Sequence, residues 1–367
     1  MSVIRPVLVS NEAAMVGGGE HSLLLLLEGL QAAGGIRPLC AVPGEGEVAR
    51  RARAMGIEVR TWPLPSLKRR PWRWPGALRT VRGELRGRSF DLVHANGTRA
   101  MLLAGRTAAK EGLPVVWHVR VEGGDIVDRC LERFADRVVV PSRTVAERFR
   151  SARIIPNPVR VPTEGEREAR REAARRTLAQ EDRPLLMCAG QLVPRKGQDT
   201  VLEAFGRLPA RLRGTLLLAG DPDPVQPRFA RDLRERVGEN ALQDRVRFLG
   251  WREDLLEILP SCDLLVHAPR TEGFGRVYVE AMANGLPVVT VPVGGLEEIH
   301  ERTGWGEMAP SRDPGALAES ITALLEDTGR LEEMSRTGPE AARRWFSIEA
   351  HTEAVIGVYR ELMEDPR

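Results

Sequence analysis

The stretch DLLVHAPRTEGFGRVYVEAMANGLPVVTVPVGGLEEI, residues 263–299, decides the fold. An apolar run at 263–269 leads to Gly273 and Gly275. A helix-like segment then ends at Gly285, a second apolar run covers 287–293, and Gly294 and Gly295 open another loop. Short apolar runs bounded by Gly, Pro or polar residues suit strands buried on both faces. A glycine-bearing turn between such a strand and a helix suits an anion, because it frees backbone N–H groups at the positive end of the helix dipole. Two acids, Glu272 and Glu280, sit in that turn and helix. A carboxylate repels a phosphate, so these acids need other targets.

The same alternation runs outward in both directions. In the first half the apolar runs are 6–10, 38–42, 58–62, 91–95, 114–119 and 137–142; in the second they are 184–190, 215–220, 245–250, 263–269 and 287–293. Amphipathic segments lie between them, which predicts parallel sheets flanked by helices. The pattern breaks once, at the Pro-rich and then highly charged stretch 157–183, which reads as a domain junction carrying one long solvated helix. The expected architecture is α/β, with two Rossmann-like doubly wound domains facing a cleft. An N-terminal domain covers 1–160, a C-terminal domain covers 161–345, and a terminal helical tail covers 346–367. Ligands in such folds bind beyond the carboxyl ends of the strands.

Composition narrows the class. The chain has 367 residues and a formal net charge of +3, which fits two ordinary globular domains. Only three lysines, Lys68, Lys110 and Lys196, stand against 51 arginines, so each lysine draws notice. Cys40, Cys130, Cys188 and Cys262 are far apart and form no CxxC, which reads as packed, reduced thiols in a cytoplasmic protein. The histidines show no ligand spacing, so no metal is expected. The N-terminal MSVIRPVLVS lacks a signal-peptide core, and Leu23–Leu27 is far short of the about 20 apolar residues a membrane span needs.

Two further glycine or basic turns follow strands. In VGGGEHSLLLLLEGL (16–30), Gly17, Gly18 and Gly19 let the backbone approach a ligand closely. The dinucleotide fingerprint is incomplete, since Ser22 stands where its third glycine belongs, which argues against NAD binding. In AGQLVPRKGQDTVLEAF (189–205), Pro194, Arg195, Lys196 and Gly197 make a basic turn that feeds a helix, a placement suited to a diphosphate.

Taken in chain order, these segments resemble the retaining, nucleotide-sugar-dependent glycosyltransferases of the GT-B fold, family 4 or group 1. The E-G-F-G-x-x-x-x-E mark is matched by Glu272 and Glu280. GGGE (17–20), VVWHVR (115–120), IIPNPV (154–159), GQLVPRKG (190–197) and LLLAGDPDP (216–224) are similar to further family segments. The resemblance implies that Lys196 and the backbone around Gly275–Val277 hold the donor diphosphate. It places Glu280 on the ribose, Glu272 on the donor sugar and His118 beside the reacting bond. Gly17, Gly18, Gly19, Gln191, Arg195, Gly220, Gly273, Phe274 and Arg276 complete the expected donor site. Gln191 departs from the family, which often has an arginine there; Arg195 and Arg276 are candidates to compensate. No protein nucleophile, metal or cofactor is implied, and a UDP-sugar is expected over a GDP-sugar. His94, His267, His300 and His351 read as packing or surface residues.

Residues 60–88 carry nine basic residues against one acid, and three of the seven tryptophans, Trp62, Trp72 and Trp74. This composition suits an anionic membrane surface or a lipid-phosphate acceptor, and equally an arginine-rich solvated helix. No nucleic-acid motif accompanies it. The reading is a cytoplasmic hexosyltransferase with a saccharide or lipid-linked acceptor in envelope or polysaccharide assembly. Its rivals are a nucleotide-sugar epimerase on the same fold and a non-catalytic nucleotide-sugar-binding subunit.

Overall fold

The computed structural model describes residues 3–15, 17–66, 70–87, 90–120, 126–177 and 184–364. Its contacts divide the chain into two compact units: Met1–Pro158 together with Phe346–Arg367, and Val159–Trp345. Each is built on one parallel sheet.

The first sheet has seven strands: β1 (Pro6–Ser10), β2 (Leu39–Val42), β3 (Glu58–Thr61), β4 (Leu92–Asn96), β5 (Val115–His118), β6 (Arg137–Val140) and β7 (Arg153–Ile154), in the order β3-β2-β1-β4-β5-β6-β7. Four of these strands, β1, β2, β4 and β5, are buried throughout because both faces are covered. The two-residue side-chain period divides them between two cores. Val7, Val9, Val93, Ala95, Val115 and Trp117 enter one. Leu8, Leu92 and Val116 enter the other, where they meet Leu23, Leu26 and Leu27 of the helix Gly18–Ala32. The C-terminal helix Ile348–Glu364 covers this second face with Val355, Val358 and Tyr359. The two helices cross so closely that a Cβ on Gly29 would lie 2.0 Å from Thr352 Oγ1. Each buried leucine contributes about 1.5–3 kcal/mol.

The second sheet has six strands: β8 (Leu185–Ala189), β9 (Thr215–Ala219), β10 (Val246–Gly250), β11 (Leu264–His267), β12 (Val288–Thr290) and β13 (Glu307–Met308), in the order β10-β9-β8-β11-β12-β13. The charged stretch before it forms the helix Glu164–Thr177, which packs on the turn Leu259–Ser261 and pairs Arg170 with Glu257 at 3.0 Å. In both sheets the strand order reverses once, between β1 and β4 and between β8 and β11.

Two details differ from the sequence expectation. Among the tryptophans of 60–88, Trp62 is fully buried against Phe90 and Trp74 packs partly on the core, because the segment's amphipathic helix Trp74–Arg86 lays one face on the sheet. Trp72 alone of the three is well exposed. Lys68, Arg69 and Arg88 lie outside the described residues. Cys130 is exposed, whereas the other three cysteines are buried, and burial pushes Cys40 and Cys188 up to about 12.

Candidate functional site

The β8/β11 reversal point is where the predicted residues converge. The loop after β8 carries Lys196 and the loop after β11 carries Glu272, so the two side chains face each other across the strand pair. Lys196 Nζ lies 2.5 Å from Glu272 Oε2, with both side chains largely buried. Gly275 N–H donates to the other oxygen, Oε1, at 3.2 Å. His267, the last residue of β11, points its Nε2 at Glu272 Oε2 from 3.3 Å. A carboxylate only accepts, so His267 is the donor there. Burial alone would raise the Glu272 pKa, but the His267 hydrogen bond and the Lys196 charge outweigh it and hold the carboxyl well below its usual range. Glu272 is therefore a fixed, ionised acceptor.

The basic turn Pro194–Lys196 is itself clamped. Arg270 donates from its backbone to Arg195 O at 2.8 Å and from its guanidinium to Pro194 O. The same guanidinium forms a bidentate pair with Asp199 at 2.6 and 3.0 Å, at the start of the helix Gln198–Arg207. Gly197 turns the chain between them with φ +69, and a Cβ there would sit 1.9 Å from Ala268 O. The turn is thus pinned to the end of β11 on one side and to a helix on the other.

Glu280 lies one turn into the helix Arg276–Ala283, where Arg276 pairs with it at 2.8 Å. The helix enters through Gly275, whose φ of +96 favours glycine, and a Cβ there would press on the Leu296 side chain. Gly295 N–H ties the neighbouring glycine loop to Glu272 O at 2.9 Å. Gly273, Phe274 and Gly275 are buried, while Arg276, Val277 and Glu280 are half-buried along the helix mouth. Gly220 follows β9, and a Cβ there would lie 2.1 Å from the O of Gly190, which follows β8. Gln191 and Arg195 are exposed; Gln191 bonds through its carbonyl to the Gln198 side chain at 2.9 Å. Arg276, a candidate to replace the arginine absent at 191, is engaged with Glu280.

The remaining predicted residues belong to the first unit. Gly17, in extended backbone, precedes the helix Gly18–Ala32, and a Cβ on Gly17 or Gly19 would meet none of the described atoms within 4 Å. His118 ends β5 fully buried. Its Nδ1 lies 3.1 Å from His94 Nε2 and 3.3 Å from Arg120 Nη2. His94, His267 and His351, read from the sequence as packing or surface residues, are buried, each with a polar contact. His300 is half-buried and bonds Trp305 O. His267 had a usable signal: it ends a strand five residues before Glu272. Arg270 and Asp199 had none, since they lie in two separate segments 71 positions apart and only the fold brings them together.

This geometry agrees with what the chain matches. Residues 169–343 match the family described as Glycosyl transferases group 1, and residues 16–162 match Glycosyltransferase Family 4. The chain belongs to the group 1 glycosyltransferases. It is 32% identical over 181 residues to the lipopolysaccharide core biosynthesis mannosyltransferase LpsB of Rhizobium meliloti, covering 48% of this chain and 51% of that protein. To the D-inositol 3-phosphate glycosyltransferase of Salinispora tropica it is 28% identical, over 73% of this chain and 55% of that protein. The match spans about half the length of these curated relatives. Among solved structures, Anabaena Alr3699/HepE in complex with UDP and glucose superposes with a TM-score of 0.83 at 21% identity, covering 98% of this chain and 100% of that one. WaaG, a glycosyltransferase involved in lipopolysaccharide biosynthesis, superposes at 0.69 and 18% identity, over 96% and 99%. Both likenesses place the group 1 chain on the GT-B fold. No helix among the described residues is long and apolar enough to cross a membrane.

Proposed function

We propose that this chain transfers a sugar from a nucleotide-sugar donor, a UDP-sugar over a GDP-sugar, to a saccharide or lipid-linked acceptor, with retention of configuration, in envelope or polysaccharide assembly. The observation that carries the reading is the buried Lys196–Glu272 pair across the β8/β11 reversal point, beside a glycine-entered helix. An ammonium group has three protons. Lys196 therefore keeps Glu272 and still serves a phosphate oxygen, stabilising the charge that grows as the sugar–oxygen bond breaks. Glu272, held ionised, accepts from neutral sugar hydroxyls, and Glu280 from those of the ribose. The two carboxylates lie on one turn and its helix, and each is joined to a cation; they are not placed as an acid and a nucleophile flanking a bond. The donor phosphate takes the acceptor proton in a same-face attack, so no protein nucleophile is assigned.

A thermal-shift panel of UDP- and GDP-sugars tests the reading. A donor at a hundred times its Kd stabilises by about 2.7 kcal/mol. A rise in Tm with one nucleotide sugar, together with its turnover, is expected. No shift with any nucleotide sugar or nucleoside diphosphate, and no donor hydrolysis, overturns it.

Peripheral contact with an anionic, cytoplasmic membrane surface belongs to the same proposal. Trp72 and Leu78 are exposed beside Arg70, Arg73 and Arg79. The patch is smaller than the sequence suggested, because Arg82 and Arg86 both pair with Glu111 and Arg60 with Glu84. Co-sedimentation with anionic vesicles at low salt is expected, weakened by Trp72→Ser; no binding at low salt sinks this part.

A further inference from the structure

A buried hydrogen-bonded chain runs through the first unit, and its direction is fixed at both ends. It links Tyr359 Oη to His94 Nδ1 at 2.7 Å, and His94 Nε2 to His118 Nδ1 at 3.1 Å. Each imidazole is 0% exposed. At the His118 end, Arg120 Nη2 approaches the same Nδ1 at 3.3 Å. A guanidinium only donates, so His118 Nδ1 must accept. At the other end, the Tyr359 hydroxyl has His94 as its one hydrogen-bond partner among the described residues. Were the chain reversed, that hydroxyl proton would be buried without an acceptor, at a cost of about 1–3 kcal/mol. Both ends therefore select one direction: Tyr359 O–H to His94, His94 Nε2–H to His118, and the His118 proton on Nε2. Arg120 is in turn held by Asn96 Oδ1 at 2.7 Å and Asn157 Oδ1 at 2.5 Å.

The His118 Nε2 left over by this arrangement is buried and has no partner among the described residues. It is a donor. The ring of His351 stacks on His118 with centroids 5.7 Å apart. Its Nδ1 donates to Pro156 O at 2.7 Å, which leaves its own Nε2 as an acceptor, also without a partner among the described residues. The groups facing His118 are thus His94 from β4, Arg120 beyond β5, and His351 from the C-terminal helix, none of them anionic. Burial first, and the Arg120 charge second, hold His118 well below its ordinary pKa.

We propose that Arg120, His94 and Tyr359 are positioning residues that lock His118 as the neutral Nε2–H tautomer, so that it serves the reaction as a hydrogen-bond donor and not as a base. The role of His118 toward substrate rests on the glycosyl-transfer reading; the tautomer does not. The C-terminal helix, through Tyr359, then sets the hydrogen-bonding polarity of a residue at the end of β5.

The first test is free of activity. In full-length protein labelled with 15N-histidine, with signals assigned by single His→Gln variants, His118 is expected to show the Nε2–H pattern and no titration from pH 8 to pH 5. An Nδ1–H pattern, or a titration near the ordinary histidine value, overturns the proposal. Tyr359→Phe is expected to populate the Nδ1–H form measurably; an unchanged tautomer removes Tyr359 from the lock. The second test is kinetic. A glutamine amide sits where Nε2–H does and an asparagine amide where Nδ1 does. His118→Gln is expected to keep turnover within about tenfold of the parent while His118→Asn loses about a hundredfold, with the donor KM changing far less than kcat. Equal losses in both, with the wild-type Nε2–H pattern intact, contradict the donor role alone. No turnover in any form, with the tautomer as predicted, counts against the glycosyl-transfer reading instead.

Discussion

Glu272 has two oxygens and three donors on them. Lys196 and His267 share one oxygen, and the Gly275 N–H takes the other. This resolves why an acid stands in an anion-suited turn: the carboxylate comes with its own cation, and the same ammonium remains able to meet a phosphate. Removing one partner of a buried pair strands the other, at a cost of about 3–5 kcal/mol. Lys196→Ala should therefore lose both stability and turnover. Lys196→Met combined with Glu272→Gln should recover most of the stability, because no buried charge is left unpaired, yet turnover should stay down by about a hundredfold or more. Chemical denaturation and donor turnover, run on the single and double variants, check this. Recovery of turnover with stability would mean the pair is structural. Lys196 and Glu272 were legible in the sequence because a scarce lysine and a spaced acid pair each followed an apolar run. His267 was passed over although it ends a strand five residues before Glu272, because a linear reading does not show that the loop after β11 folds its acid back onto the strand's last residue.

At the scale of elements, the strands that carry the site were legible, as were the edge strands β3 and β10, but the edge strands β7 and β13 were not. Runs such as Leu185–Ala189 and Leu264–His267 are buried throughout because helices cover both faces. β7 and β13 have two residues each and were absent from the expectation: an edge pairing that short leaves no periodicity to read. The brace on the Pro194–Lys196 turn was equally hidden, since Arg270 and Asp199 are 71 positions apart. It has a definite consequence. Arg270 holds the turn by its backbone and by both arms of its guanidinium, and its charge, against the cost of burial, holds Asp199 below the usual carboxylate range. Arg270→Ala should free the turn without touching Lys196 or Glu272. Donor affinity is expected to weaken about tenfold, or about 1.4 kcal/mol, with a smaller change in kcat. Calorimetric titration with the donor found in the thermal-shift panel measures it. Unchanged affinity would show that the Gly197 turn and the packing under it fix Lys196 unaided.

At the scale of the whole molecule, the tail beyond residue 346 completes the first unit, and it does so with chemistry as well as apolar packing. It supplies His351 and Tyr359 to the face of the sheet that carries His94 and His118. The pairing register explains the meeting: His94 sits opposite Val116, and Asn96 opposite His118, so the two histidines share the face covered by the C-terminal helix. Three imidazoles are thereby buried neutral. Burial and the Arg120 charge lower His94 and His118 well below 6.5, and His351 to about 3. In the unfolded chain each would titrate near 6.5. Below that pH the unfolded state binds more protons than the folded one, so stability falls as pH falls, and it goes on falling until the folded groups themselves protonate. Each histidine contributes about 1.4 kcal/mol per pH unit once the pH is well under 6.5, so the three together cost about 4 kcal/mol between pH 8 and pH 5.5. That is a large part of the about 5–15 kcal/mol that holds a domain together. Glu20, a carboxyl of this unit that burial raises above its ordinary 4.5, acts in the opposite sense, because the folded state takes up its proton first as the pH falls toward 4.5; a Glu20→Gln background isolates the histidine slope. Urea unfolding at pH 7.5, 6.5 and 5.5, followed by hydrogen exchange at the amides of β4 and β5, should show the first unit weakening by this amount. His351→Gln should remove about one proton from the slope, whatever its effect on stability at pH 8. A flat profile between pH 7.5 and 5.5 would mean that the histidines are charged, or wetted, in the folded state, and the polarity argued for His118 would fall with it.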